Sequence, residues 1–348
     1  NFCPVPFAGL ILNPNGDIGA CREKGNKHVL GNIKNSSIEE VWNGEEIRKW
    51  RREFLTGNIV TCKEEIKHNS CHKLKNYQEL IEHIDVSEHV KTPILRFTPD
   101  LNGKCNLRCP FCEIWDLPNG LYDNIDGFWE HLSSHLLPHI LQIDFLAGEP
   151  FIQKDFYKLI DLSSKHNSNC QWEITTNAQW KFTDNIKKSL DKIQIRTISV
   201  SLDSIEPETY ASIRNPGNLE KTLATIDDLY NYNKTREVPF KLLINFSIQK
   251  ENRYEIPRMF KFCSQYQTNI FMQYVYFPSN LSPSTLDEDE RRKLLKFYFS
   301  NLTEYELVHS RRVILALIDT FPKPLQDKYF KIFTVQTGGK INRFLNLV

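Results

Sequence analysis

A chain of 348 residues, 40% apolar and 25% charged, is long enough for one large α/β domain and a smaller unit. Its formal net charge of +1 gives no global electrostatic case for nucleic acid or an anionic membrane. No apolar run approaches the ~20 residues that span a bilayer, and the start lacks a signal-peptide pattern. Nine cysteines, an odd count in so large a chain, argue against a disulfide-stapled secreted module and for metal ligation in a reducing cytoplasm.

Phe7 to Leu12 reads as a strand, Asn13-Pro14-Asn15-Gly16-Asp17 as a turn, and Ile18 to Arg22 as the returning strand, with Cys21 at its end. Ser36 is expected to cap a helix, with Glu39 three residues later. Val41, Trp42, Ile47, Trp50 and Phe54 give that helix an apolar face, and Lys49, Arg51 and Arg52 its wet side. Cys3, Cys21, Cys62 and Cys71 lie in a segment of small hydrophobic content, which suggests a metal that supplies folding energy. A structural zinc site is the bland alternative, and His28, His68 and His72 are nearby imidazoles that four cysteines make unnecessary.

Phe2-Cys3-Pro4, Leu12 to Asp17, Cys21, Leu30-Gly31-Asn32, Ser37 to Asn43, Arg51 and Cys62 resemble the Twitch/SPASM type of auxiliary-cluster domain. The resemblance implies a [4Fe-4S] cluster held by Cys3, Cys21, Cys62 and Cys71. The module stands before the larger body instead of after it and lacks the full SPASM set of cysteines, so one auxiliary cluster is implied. A helical run from Leu74 to His89 is expected to lead out of it, with Tyr77, Leu80, Ile81 and Ile84 on one face.

Six short apolar or β-branched runs follow, separated by helical stretches: Ile94 to Thr98, Ile140 to Leu146, Trp172 to Thr176, Thr197 to Leu202, Phe240 to Ile248, and Ile270 to Tyr276. This rhythm predicts parallel βαβ units. Periodicity alone leaves a doubly wound sheet and a partial barrel as equals.

Just past the first run, Cys105, Cys109 and Cys112 stand at i, i+4 and i+7, with aromatic Phe111 before the last. Three thiolates so spaced can converge on one soft metal centre, either a zinc knuckle with a distant fourth ligand or an iron–sulfur cluster with one open iron. The pattern resembles the CxxxCxΦC signature of radical S-adenosylmethionine (SAM) enzymes. The resemblance implies a partial (β/α)6 TIM barrel and a [4Fe-4S] cluster on these three cysteines. The amine and carboxylate of SAM would chelate the fourth iron, and reductive cleavage of SAM would yield a 5′-deoxyadenosyl radical.

Chemistry in such folds gathers at the C-terminal ends of the strands. Ala147-Gly148-Glu149-Pro150 resembles the family's GGEP motif, in which Gly148 permits close backbone approach and Glu149 meets the SAM amine. Thr175-Thr176-Asn177, followed by Ala178 in place of glycine, resembles the TNG segment. Ser199, Ser201 and Asp203 share one strand face. The resemblance places the methionyl carboxylate and ribose of SAM on that face, and Asp203 can alternatively cap the helix near Pro207. Arg214 is implied to meet the SAM carboxylate. Asn245, Ser247 and Gln249 form a second polar row for SAM or substrate. Gln273 and Tyr276 are substrate-side candidates, and Arg96 with Asp144 is an interior charge pair of structural or substrate-binding use. Cys170 and Cys263 read as inert thiols, although Cys263 or Tyr276 is a candidate for the hydrogen donor that an epimerisation would need.

Beyond residue 278 the chain reads as a helical extension opening at Ser284 to Asp287, with a helix at Val308 to Phe321 and a strand or lid at Lys328 to Val335. The expected organisation is an auxiliary-cluster domain (1–75), a helical linker (76–92), the partial barrel (93–278) and the extension (279–348). The expected activity is radical hydrogen abstraction that oxidises, cross-links or epimerises a peptide. Dehydrogenation or epimerisation of a sugar or other small metabolite is the enzymatic alternative, and a zinc-stabilised interaction protein the non-enzymatic one. The cofactors are SAM and two [4Fe-4S] clusters, with a low-potential electron donor such as flavodoxin or ferredoxin as partner.

Overall fold

A computed structural model describes residues 2–22, 24, 28–63 and 78–339. The chain divides into two compact units, one of Asn1–Asn106, Ile114–Thr176 and Phe182–Thr197, the other of Leu107–Glu113, Asn177–Lys181 and Ile198–Val348.

In the first unit, the predicted hairpin forms with shorter strands: Phe7 and Ala8 lie in the helical turn Val5–Ala8, and the returning strand ends at Gly19, before Cys21. β1 (Gly9–Leu12) pairs antiparallel with β2 (Asp17–Gly19), which pairs with β3 (Gly31–Asn32). Gly16, at φ 93°, supplies the left-handed residue of the turn. The other edge of β1 runs parallel to β4 (Arg96–Pro99), with Gly9 opposite Arg96 and Leu12 opposite Pro99. β4 is followed in the sheet by β5 (Gln142–Phe145) and β6 (Gln171–Thr176), all parallel. The hairpin is thus an extension of the sheet that carries the later strands.

The two faces of this sheet differ. On one, Phe145 and Trp172 meet Phe156 of the helix Lys154–His166, with ring centroids 5.0 and 6.2 Å apart. On the other, buried Arg96 reaches Asp144 at 3.2 Å and Glu173 at 2.9 Å. The period-2 alternation of a strand puts one set against a helix and the other on the opposite face. The charge pair expected from the sequence is part of a wider network, in which Arg22 lies 3.7 Å from Asp144 and Arg196 lies 3.7 Å from Glu173.

The first long helix is displaced by one residue from expectation. Ser37, not Ser36, is the cap, and Glu40 closes a capping box with it. That register buries Ile38, Val41 and Trp42. A break at Gly44 precedes a second helix, Glu45–Thr56, which ends at Gly57 with φ 75°. Arg51 is not on the wet side. It is fully buried, donates to the carbonyls of Pro6 and Trp42 at 2.8 Å each, and lies 4.6 Å from the centre of the Trp42 ring. Burial lowers its guanidinium to about 10.

Of the helical run predicted over Leu74 to His89, Leu74 and Tyr77 lie outside the described residues. The described part is a short 3-10 turn, Gln78–His83. Asp85 ends any continuation by accepting from Ser87 Oγ at 3.0 Å and Lys91 N at 2.9 Å.

β7 (Gln194–Ser201) begins in the first unit and ends in the second. Within the second unit, Leu202 N donates to Asn245 O of β8 (Lys241–Ile248) at 3.0 Å. β8 runs parallel to β9 (Asn269–Tyr274), with Asn245 opposite Phe271 and Ser247 opposite Gln273. The helices Leu219–Lys234 and Ile256–Gln265 fill the helical stretches expected between the last three predicted strands. The C-terminal helix expected over Val308 to Phe321 is interrupted at Ser310, giving Glu304–His309 and Arg311–Ile318. Lys328 to Val335 is neither strand nor lid; it is part of the helix Lys323–Gln336, whose inward Phe333 is fully buried. All six runs predicted as core strands are strands, and no helix among the described residues is long and apolar enough to cross a membrane.

Candidate functional site

The loop that carries the three clustered cysteines leaves β4 through Asn102 and Lys104. Asn102 Nδ2 donates to Asp155 at 3.1 Å, and Lys104 N donates back to Asn102 Oδ1 at 2.8 Å. The strand-end turn Ala147 to Pro150 closes on the same stretch. Gly148 has φ 62°, and a Cβ built on it would stand 2.2 Å from Lys104 O. Glycine is required there by conformation and by space. Glu149 N donates to Lys104 O at 2.9 Å, and Gln153 Nε2 donates to the carbonyls of Lys104 and Ala147 at 2.9 and 2.8 Å.

Glu149 is fully buried, and its Oε1 accepts from Phe151 N at 3.2 Å and Thr176 Oγ1 at 2.7 Å. The carboxylate thus caps the turn Pro150–Ile152 and ties it to the end of β6. Asp100, also buried, accepts from Ala147 N at 3.1 Å and is ion-paired with Arg22 at 2.8 Å. Burial, only partly offset by Arg22, raises its carboxyl above the ordinary value. These contacts all fall in the first unit, to which Cys105 also belongs.

Cys109 and Cys112 belong to the second unit. Cys112 N donates to Cys109 O at 3.0 Å, a tight turn that sets the i, i+3 pair. Arg214 is buried beside it, 4.0 Å from Cys109 Sγ and 5.2 Å from the centre of the Phe111 ring. Its Nε donates to Asp203 Oδ2 at 2.5 Å, while Asp203 Oδ1 accepts from Ser247 N at 2.6 Å. Burial alone would lower the Arg214 guanidinium, but Asp203 and Cys109 carry it above its ordinary value. Asp203 does not cap the helix Pro207–Ile213, whose first turn has no side-chain cap.

Asn177 Oδ1 accepts from Gln179 N at 2.8 Å, and Ala178 between them has φ 57°. The alanine thus occupies the left-handed position that a glycine would fill without strain. Ser199 and Ser201 are buried side by side in alternation on β7, and Asn245 is half-buried on β8. Tyr276 and Phe277, beyond β9, are 54% and 72% exposed. Cys263 is buried on the helix Ile256–Gln265, and burial pushes its thiol up to about 12. That is a place in the helix layer, where a thiol behaves as a small apolar side chain.

Of the N-terminal cysteines, Cys3, Cys21 and Cys62 are half-buried, and Cys71 lies outside the described residues, as do His68 and His72. Cys21 borders a small cavity shared with Arg22, Arg96, Thr98 and Asp144. Cys62 accepts a hydrogen bond from Trp50 Nε1 at 3.3 Å. Glu53, one turn along the same helix, accepts from Val60 N and Thr61 N at 3.0 and 2.7 Å. Sequence reasoning placed Trp50 only on an apolar face and gave Glu53 no role; the i, i+3 spacing of the two was the available signal. No group of three His, Cys, Asp or Glu side chains is gathered as a metal site among the described residues.

Residues 101–293 match the family model described as the radical SAM superfamily. The chain belongs to that superfamily. Residues 3–73 match SPASM, an iron–sulfur cluster-binding domain, so this radical SAM enzyme carries its auxiliary module at the N-terminal side. A GTP 3′,8-cyclase of Clostridium botulinum is 33% identical over 134 residues, which are 36% of this chain and 40% of that protein. The chain thus spans about two fifths of the length of that curated relative. A probable GTP 3′,8-cyclase of Methanosarcina acetivorans is 24% identical over 283 residues, covering 76% of this chain and 80% of that one. Among solved structures, Streptococcus suis SuiB bound to its precursor peptide SuiA has a TM-score of 0.45 at 17% identity, covering 74% of this chain and 60% of that one. The anSMEcpe structure with bound AdoMet and Cp18Cys peptide has a TM-score of 0.46 at 18% identity, covering 63% and 62%.

Proposed function

We propose that this radical SAM enzyme removes a hydrogen atom from a peptide substrate and thereby oxidises, cross-links or epimerises it. The observation that carries the reading is the presence of both matches on one chain, a radical SAM core at 101–293 and an iron–sulfur module at 3–73. When bound, a [4Fe-4S] cluster and SAM supply a 5′-deoxyadenosyl radical.

Cys105, Cys109 and Cys112 would hold that cluster. The donor set fits, because three soft thiols suit iron–sulfur ligation and the buried Arg214 cation at Cys109 favours a thiolate. The backbone around Gly148 and Glu149 would receive the ammonium of SAM. Asn177, Ser199, Ser201, Asn245 and the Asp203–Arg214 pair would supply polar groups to its carboxylate and ribose. Cys3, Cys21, Cys62 and Cys71 would hold the auxiliary cluster, and a low-potential donor such as flavodoxin or ferredoxin would deliver electrons.

The exposed pair Tyr276 and Phe277 supports a peptide substrate, since two adjacent aromatics at a strand end offer an apolar lip to side chains. A nucleotide or other small metabolite is the second reading, favoured by the two GTP 3′,8-cyclase matches. Anaerobic turnover with short peptides encoded beside the gene, and separately with nucleotides, decides between them. Consumption of peptide with a loss of two mass units, or uptake of deuterium from solvent, supports the first reading; conversion of nucleotide alone overturns it.

A further inference from the structure

We infer that Trp50 sets the reduction potential of the auxiliary centre through its hydrogen bond to Cys62. The inference rests on the proposed ligation by Cys62 and concerns what surrounds that sulfur.

Trp50 is 1% exposed on the helix Glu45–Thr56, and its indole Nε1 stands 3.3 Å from Cys62 Sγ. An indole nitrogen only donates, so a buried one without an acceptor would bear a desolvation penalty. The approach is held from several sides. Glu53 accepts from Val60 N, Thr61 N and Thr61 Oγ1 at 3.0, 2.7 and 2.8 Å, which fixes the segment arriving at Cys62 to the same helix. Lys24 Nζ donates to Thr61 O at 2.5 Å, a further contact on the segment arriving at Cys62. The His28 ring stands edge-on to Trp50, with centroids 4.7 Å apart.

A donor aimed at a ligand sulfur stabilises the more negative, reduced state of an iron–sulfur cluster and raises its potential. Trp50 is therefore a positioning and tuning residue. It makes the auxiliary centre a better electron acceptor than the same cysteines would in an apolar setting.

The test uses the full chain with Cys105, Cys109 and Cys112 replaced by alanine, so that only the auxiliary centre is loaded. Trp50→Phe and a replacement of Trp50 by benzothienylalanine, which keeps the shape and removes the N–H, are compared by iron content and by a redox titration followed by electron paramagnetic resonance. The expected result is about four iron per chain in the benzothienyl variant, with a midpoint more negative than with Trp50. An unchanged midpoint, or loss of the cluster in both variants, overturns the inference by leaving Trp50 a packing role alone. A Cys62→Ala control separates the two readings, because full iron and an unaltered spectrum there would remove Cys62 from the ligand set.

Discussion

Arg214 Nε donates to Asp203 Oδ2 at 2.5 Å, while the same guanidinium lies 4.0 Å from Cys109 Sγ. Asp203 is fully buried and Arg214 nearly so, so each charge relies on the other. Breaking a buried pair from one side costs about 3–5 kcal/mol, because the surviving charge is left desolvated. Asp203→Asn is expected to lower stability by that order, read as a shift in the urea midpoint at unchanged slope. A loss below about 0.5 kcal/mol would mean that Arg214 has another counter-charge.

Gly148→Ala is expected to weaken SAM binding by about tenfold or more, since the added carbon meets Lys104 O at 2.2 Å in a left-handed residue. Equilibrium dialysis of anaerobically loaded protein measures it. Unchanged affinity would separate this turn from the SAM site.

Ala178→Gly is expected to act in the other direction. Relief of a left-handed alanine at φ 57° should outweigh the added freedom of the unfolded chain and stabilise by about 0.5–1 kcal/mol. Thermal unfolding of the two proteins side by side checks the sign.

Glu255 gives a pH signature. Burial raises its carboxyl above 4.5 despite hydrogen bonds from Ser204 Oγ at 2.8 Å and Ile205 N at 3.1 Å. A raised acid favours the folded state when protonated. Its contribution is complete below 4.5 and is lost as pH rises through the folded value. Glu255→Gln should therefore remove a fall in stability above pH 4.5, seen as a flatter plot of urea midpoint against pH. A plot of unaltered slope would contradict the assignment.

The strands of the core were legible because Trp172 to Thr176 and its counterparts are short, apolar and bounded by turn residues. The cysteine and strand-end motifs were legible because their residue types are demanding: Gly148 has no substitute at its φ and spacing. What escaped depends on partners distant in sequence. The pairing of β1 with β4 spans more than 80 residues and leaves no local pattern. Arg51 reads as a wet residue until Pro6 and Trp42 present carbonyls to it. Lys328 to Val335 alternates enough to suggest a strand, yet Phe333 buries as part of a helix. Trp50 looks like core on any helical wheel, and only the arrival of Cys62 gives its N–H a use.

The most direct measurement of the central claim is 5′-deoxyadenosine formation by anaerobically reconstituted protein with and without a strong reductant. The account predicts reductant-dependent release by the wild-type chain, about eight iron bound, and loss of release when Cys105, Cys109 and Cys112 are all replaced by alanine. Release that persists in the triple variant, or a colourless protein that binds zinc and leaves SAM intact, would contradict it.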